Sequence, residues 1–574
     1  MNSWAKNEDI AKRQARNKMT FFLTLHMLAG GLYILVFRPD NMQDINYWVY
    51  RIGALADEMR TRGILHALPP RILSTTFNGY GYGAPLFYCD VFLWFPAVLV
   101  VHGVSEFTSY TILCAAIWGA RVAVAIFSAS LILKRYHDIE DKFELSLLFA
   151  FSYSCFPYMI EVLLVRGAIG ESIASIFFPL IAATLYRMVY EENKSPQNVV
   201  LMALSLFGVV CSHNISSIIV ACCAIVYIIW HWKRFWAERW RLAELIKAGT
   251  LATGLAAFWL FPFLEQYVTH IIPDMSGWWW HNTVSLSDWF LSYSFTRGGL
   301  TWSPSTFGIP LVVWTILSLV HKKTRRNKYI GIMLLLSWLL CIFMTSRTAM
   351  EVTEVLIGFM QFAWRLLSVV SLLLSIVVGV IYCMTSGKRA VFITVYLIYI
   401  ACFFLSDSVW FGKALIMDAH IIYGKNNADD LYIPQGAFPG MYDLRGELVD
   451  TNLSELQFEY ERLPKAEFRL KYWKNTGNAV LQLPIFYYKG YEAYDLVNQR
   501  KLSIEKGDIG LIWVHLDQDE SGEVVVSYVG TPIQRVSDAV SLVTWMVLAV
   551  YLLVSICRNR RNCKILRQVG TFFQ

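Results

Sequence analysis

The sequence predicts an all-α polytopic membrane protein of about twelve transmembrane helices, with juxtamembrane helices on its outer side and a small β-rich extracytoplasmic domain. Three observations carry this prediction. Apolar residues make up 56% of the 574-residue chain and charged residues only 16%, a balance that excludes an ordinary soluble protein. Runs such as 21–37, 199–210, 330–344 and 366–383 approach or reach the roughly 17 to 25 apolar residues of a spanning helix. The polar segment 407–537 instead breaks into short alternating runs, AEFRLKYW, AVLQLPIFYY, LIWVHLD and EVVVSYVG, separated by Gly, Asn and Asp, which is the pattern of strands.

The elements follow in order. The opening MNSWAKNEDIAKRQARNK is polar and basic, and no small-residue cleavage site follows the first apolar run, so 21–37 reads as a retained helix. The basic clusters KRYHDIEDK, HWKRFWAERWR, HKKTRRNK, SGKR and RNRRNCK fall between apolar runs, as cytoplasmic loops do under the positive-inside rule. The net charge of +7 is therefore an orientation signal, and nucleic acid is excluded as a partner. With the N-terminus inside, 21–37 crosses outward, and the basic segment at Lys134 must lie inside again. Two apolar runs, 88–101 and 110–133, intervene, so one of them does not cross. The shorter carries Asp90 and Pro96 and is assigned as an outer juxtamembrane or re-entrant helix, buried in protein or lining a cavity.

The remaining crossings are 145–163, 172–186, 199–211, 215–230, 248–264, 309–320, 329–345, 366–383, 391–405 and 540–557, with both termini cytoplasmic. The domains are then a cytoplasmic segment 1–20, a transmembrane domain 21–406 with outer loop 38–109, an exterior β-rich domain 407–539, and a last helix and cytoplasmic tail 540–574. Of the eleven cysteines none lies in 407–539, so the exterior domain holds without disulfides, which suits a bacterial cytoplasmic membrane. Cys89 stands apart, because the others lie in apolar spans or in the basic tail.

On this topology polar groups collect at the outer helix ends. Asp44 opens the first loop, and the Gly/Tyr-rich turn FNGYGYGAP in that loop is suited to close approach of a ligand. Glu161, Arg166 and Glu171 flank EVLLVRGAIGES. His213 and Asn214 stand at the third hairpin, WWWHNTVSLSDW lies in the fourth loop, and Glu351, Glu354, Gln361 and Arg365 precede a late crossing. Ionisable groups at membrane depth are expensive and mark function. The chemistry that fits is sugar transfer from a lipid phosphate: an arginine clamps the phosphate and a carboxylate takes the acceptor's proton. Asp44 is the candidate base, with Arg365 or Arg166 as the clamp. Each has a second reading: Asp44 as a helix cap, Arg166 and Glu171 as a structural ion pair, Arg365 as a snorkelling residue, and Trp278 to Trp280 as an interfacial belt.

Four patches, DINYWVYRIGAL, FNGYGYGAPLFY, PYMIEVLLVRGAIGES and QFAWRLL, and the exterior run LPIFYYKGYEAY, resemble the GT-C superfamily of membrane glycosyltransferases. The chain is most similar to bacterial YfhO-like proteins and to those labelled as related to 6-pyruvoyl-tetrahydropterin synthase. The resemblance implies an outward-facing, inverting glycosyltransferase that moves a sugar from a polyprenyl-phosphate donor to a cell-envelope glycan or polymer, beside membrane lipid. It assigns Asp44 as the catalytic acid of the first loop, Arg166 and Glu171 to the second-loop neighbourhood, and Arg365 to the donor phosphate. Tyr80, Tyr82, His213 and His281 are candidates to line the substrate. No cofactor is implied, and a single acid follows Arg166 where a metal-dependent relative has two, so no obligatory divalent ion is expected. Tyr47 and Trp48 stand where nearer members carry a His. The alternatives are a lipid-linked-sugar transporter or flippase, and a non-catalytic assembly protein of the same fold.

Overall fold

The computed structural model describes residues 20–35, 44–267, 278–290, 306–385, 388–406, 432–437, 449–450, 456–473, 479–517 and 521–572. The longer helices are α1 (Thr20–Leu35), α2 (Ile45–Arg62), α3 (Trp94–Val101), α4 (Glu106–Leu133), α5 (Lys142–Ser154), α6 (Ile169–Tyr190), α7 (Pro196–Val210), α8 (Asn214–Trp230) and α9 (Trp240–Tyr267). They continue with α10 (Gly308–Val320), α11 (Lys328–Thr345), α12 (Arg347–Ile357), α13 (Leu367–Met384), α14 (Lys388–Ser406) and α15 (Pro532–Phe572).

Six described helices are long and apolar enough to cross a membrane: Glu106–Leu133, Ile169–Tyr190, Trp240–Tyr267, Lys328–Thr345, Ala363–Met384 and Pro532–Arg558. The pair Lys142–Ser154 and Pro157–Val165, bent by 66°, is a seventh if it counts as one span. The bend falls at Pro157, whose ring opens a new helical turn instead of continuing the old one. Four of the twelve expected crossings, 21–37, 199–211, 215–230 and 309–320, coincide with shorter apolar helices, so length and composition do not reproduce the count of twelve. Residues 36 and 37 lie outside the described residues. The run 88–101, expected not to cross, holds the short apolar helix Val91–Val101, whose α3 part has eight residues and at about 1.5 Å per residue is shorter than a span requires.

The helices pack in a continuous order. Helix α4 lies against α5 and α6, α6 against α7, α7 against α9, and α9 against α15. Small residues allow the last contact: a Cβ on Gly254 would stand 2.9 Å from Thr544 Oγ1, and Ser541 Oγ donates to Gly254 O at 3.0 Å.

The segment before α15 folds into two antiparallel sheets. One has the order β1-β4-β8-β7 (Val449–Asp450, Ala479–Phe486, Leu511–Leu516, Ile504–Lys506). The other has the order β2-β3-β9-β5-β6 (Gln457–Leu463, Glu467–Trp473, Ser521–Tyr528, Tyr491–Asp495, Arg500–Leu502). The four sequence runs supply β3, β4, β8 and β9. In β3 Phe468, Leu470 and Tyr472 face inward and their neighbours outward, as a sheet with one buried face requires. The expected exterior segment 407–431 lies outside the described residues.

This β-domain sits on the first loop. Phe486 N donates to Tyr80 O at 2.8 Å, and Gln266 at the end of α9 exchanges hydrogen bonds with the Lys489 backbone at 2.7 and 3.2 Å.

Candidate functional site

Asp44 is the residue immediately before α2, at the cap position, yet its side chain makes no capping hydrogen bond. Its backbone N–H donates to Arg166 O at 3.0 Å, and its carboxylate lies 3.7 Å from Arg166 Nε. Capping is thus not what the side chain does. The contact is an ionic one, too long for a direct hydrogen bond.

Arg166 ends a five-residue π-helical turn, Glu161–Val165, an irregularity that re-aims side chains and is frequent at functional sites. Gly167, at φ +70°, then takes the left-handed conformation that lets the chain reverse into α6. This reversal brings Arg166 Nη1 to 3.2 Å from Glu171 Oε2. The same carboxylate oxygen lies 3.7 Å from Arg365 Nε, and Tyr158 Oη donates to Oε1. One buried carboxylate therefore stands between two buried guanidinium groups, with Asp44 at the outer end and 32% of its side chain exposed.

Arg365 reaches this position through a tight turn. Gln361 holds φ at +62°, a region that costs a non-glycine residue on the order of 1–3 kcal/mol. Arg365 Nη1 bonds the Met360 carbonyl and Gln361 Oε1, the latter at 3.3 Å. The Phe362 ring receives both cations on its π-face, with Arg166 at 4.9 Å and Arg365 at 5.0 Å from its centroid. Arg365 is buried and does not snorkel. Its Nε has no hydrogen-bond acceptor among the described residues, so an anionic oxygen placed there would satisfy a donor the protein leaves unused.

Burial raises the Asp44 pKa above its ordinary value; Arg166 and then Arg365 oppose the rise, and Glu171 adds to it. His213 moves the other way, held well below 6.5 by burial first and then by Arg365 and Arg166. It packs on the Tyr88 ring at 6.4 Å, and its Nδ1 accepts from Ser216 N at 3.2 Å to cap α8. That cap requires an unprotonated Nδ1. Below about pH 6.5 the unfolded chain binds this proton and the folded one does not, so stability falls as pH drops, by up to about 1.4 kcal/mol per unit. His213→Asn, which retains a capping oxygen, is expected to flatten the decline in melting temperature between about pH 7.5 and 5.

The structure gathers Asp44, Arg166, Glu171 and Arg365, with His213 close enough to feel both arginines. It places Tyr80, Tyr82, His281, Trp279 and Glu351 in other contacts. Tyr80 and Tyr82 are buried beneath the β-domain, Tyr80 against Phe486 at 5.4 Å and Tyr82 near Tyr432 at 6.4 Å. A Cβ on Gly83 would meet the Tyr488 ring at 2.5 Å. What approaches this glycine turn closely is thus the chain's own β-domain. His281 is exposed and stacks on Trp280 at 3.5 Å, which in turn lies under Arg347 at 4.6 Å. Trp279 is wholly buried beside Phe343. Glu351 pairs with Arg347 at 2.9 Å on the exposed surface of α12.

Four residues make contacts that the sequence did not foretell. Tyr158 and Phe362 lie within quoted patches but touch the charges only through the π-turn and the Gln361 turn. Arg51 and Asp90 form a buried pair at 2.6 Å that fixes α2 against the stretch after Tyr88. The close fit around Gly170 is equally invisible: a Cβ there would lie 1.7 Å from Tyr88 Oη and 2.6 Å from Ser212 O. Because the second contact is with backbone, Gly170→Ala is expected to destabilise the fold, read as a clear drop in melting temperature in detergent.

Among the described residues no group of three or more His, Cys, Asp or Glu side chains could hold a metal ion. No family model and no curated protein matches the chain. Among solved structures, the cryo-EM structure of the arabinofuranosyltransferase AftD from mycobacteria is similar at 14% identity and a TM-score of 0.37, over 69% of this chain and 27% of its own. The chain thus spans little more than a quarter of that structure's length, and a superposition at that score does not define a shared fold.

Proposed function

We propose that the chain is a membrane glycosyltransferase that moves a sugar from a polyprenyl-phosphate donor to a cell-envelope glycan on the outer face of the cytoplasmic membrane. The observation that carries this reading is the carboxylate of Asp44 turned away from its own helix toward Arg166, at the exposed end of a buried arginine, glutamate and arginine series. The quoted sequence patches support it independently.

In the proposed reaction the acceptor hydroxyl loses its proton to Asp44 as its oxygen bonds the anomeric carbon. The bond from that carbon to the phosphate oxygen breaks with inversion, and the electron pair leaves with the polyprenyl phosphate. Arg365 holds the growing charge on the phosphate, with Arg166 behind it. Glu171 keeps the two cations together and Tyr158 fixes Glu171. A carboxylate raised by burial is a stronger base than one in water, which suits proton removal near neutral pH. No step requires a metal.

The test is the sugar composition of envelope polymers from a strain lacking this protein. One sugar is expected to disappear and to return with the intact gene. A composition identical to that of the parent strain would overturn the reading.

A further inference from the structure

We propose that Cys89 and Cys211 are joined by a disulfide that ties the first outer loop to the hairpin between α7 and α8. Both are buried, Cys89 at 7% and Cys211 at 0% exposure, and they pack in one small cluster with Ala256, Phe258 and Trp259. In the structure both are free thiols, and they neighbour each other within that cluster.

The chain segments that carry them lie side by side. Asn214 Nδ2 donates to Phe87 O at 3.2 Å, the Tyr88 and His213 rings are 6.4 Å apart, and Gly170 lies in contact with both Tyr88 Oη and Ser212 O. Phe87, Tyr88 and Cys89 thus run past Asn214, His213 and Cys211 in opposite directions. Segments lying alongside in this way bring the two thiols together, and a bridge closes where their Cα atoms settle roughly 4.4–6.8 Å apart.

The remaining requirement is an oxidant. With the N-terminus inside, both residues lie on the outer side, where thiols are oxidised. Each thiol gives up its proton and the sulfur–sulfur bond forms by exchange through a mixed disulfide with an exterior thiol oxidoreductase. That protein's own disulfide receives the two electrons and two protons and becomes a dithiol. Because both sulfurs are buried once folded, the exchange takes place before the hairpin closes over them. The bridge would then anchor Tyr88 against Gly170 and His213 near Arg365 and Arg166, and it stands whether or not the site transfers a sugar.

Labelling tests this directly. Membranes are collected into light N-ethylmaleimide and denatured, then reduced, labelled with the heavy reagent and mapped by mass spectrometry. Cys89 and Cys211 are expected to carry the heavy label in most molecules, while Cys114, Cys155, Cys341 and Cys402 carry the light one. In Cys89→Ser, Cys211 is expected to switch to light. Light label on both residues in the wild type would overturn the proposal, as would heavy label on Cys211 in Cys89→Ser.

Discussion

Asp44→Asn is expected to lower sugar transfer by about 10²- to 10⁴-fold, the usual contribution of a positioned general base, with normal amounts of protein in the membrane. The shape of the remaining side chain is nearly unchanged, so the loss would report the missing charge. The pH dependence separates a base from a structural residue. Transfer needs the ionised carboxylate, and burial lifts its pKa above the ordinary carboxylate range, so the wild-type rate is expected to fall as pH drops through that raised value. The Asn variant should show no such limb in its residual rate.

Stability runs in the opposite sense. A carboxyl whose folded pKa is raised stabilises the fold when protonated, and that contribution is lost as pH rises from the unfolded value toward the folded one. At neutral pH the Asn variant should therefore be at least as stable as the wild type. A large fall in melting temperature, or undiminished transfer, would remove Asp44 from the role of base.

The parts of this molecule that could be read from its sequence are those governed by local composition. Helices such as Glu106–Leu133 and Pro532–Arg558 announce themselves by sustained apolarity, and β3, β4, β8 and β9 by alternation. Asp44, Arg166, Glu171 and Arg365 stand out because charge beside apolar runs is costly and needs a partner. What was not legible depends on which surfaces meet. Gly79 and Gly81 hold φ at +88° and +80° whatever lies against them, so the glycine turn looks the same under a ligand or under Phe486 and Tyr488 of the β-domain. The helix count suffered for a related reason: Pro196–Val210 and Gly308–Val320 are apolar but short, and only tertiary packing says how much membrane each traverses. The contacts of Tyr158 and Phe362 arise from the π-turn and from the positive φ at Gln361, neither of which has a periodic signature.

Glu171→Gln is expected to have the largest effect on the fold itself. The wild-type carboxylate is shared by Arg166 at 3.2 Å and Arg365 at 3.7 Å, and all three side chains are buried. Removing its charge leaves two guanidinium groups facing one Phe362 ring with no full counter-charge between them. Breaking a buried pair from one side costs about 3–5 kcal/mol, and mutual repulsion of the arginines adds to it. The melting temperature in detergent should fall sharply, although Gln can still accept a hydrogen bond from Tyr158. Adding Arg365→Met should recover part of the loss, because it removes the cation that Glu171 no longer balances and leaves an apolar side chain against Phe362. The two changes should thus be strongly non-additive, as for residues in one charged network. Additive losses, or a Gln variant that melts with the wild type, would mean that Glu171 does not hold the arginines together, and the proposed phosphate clamp would lose its support.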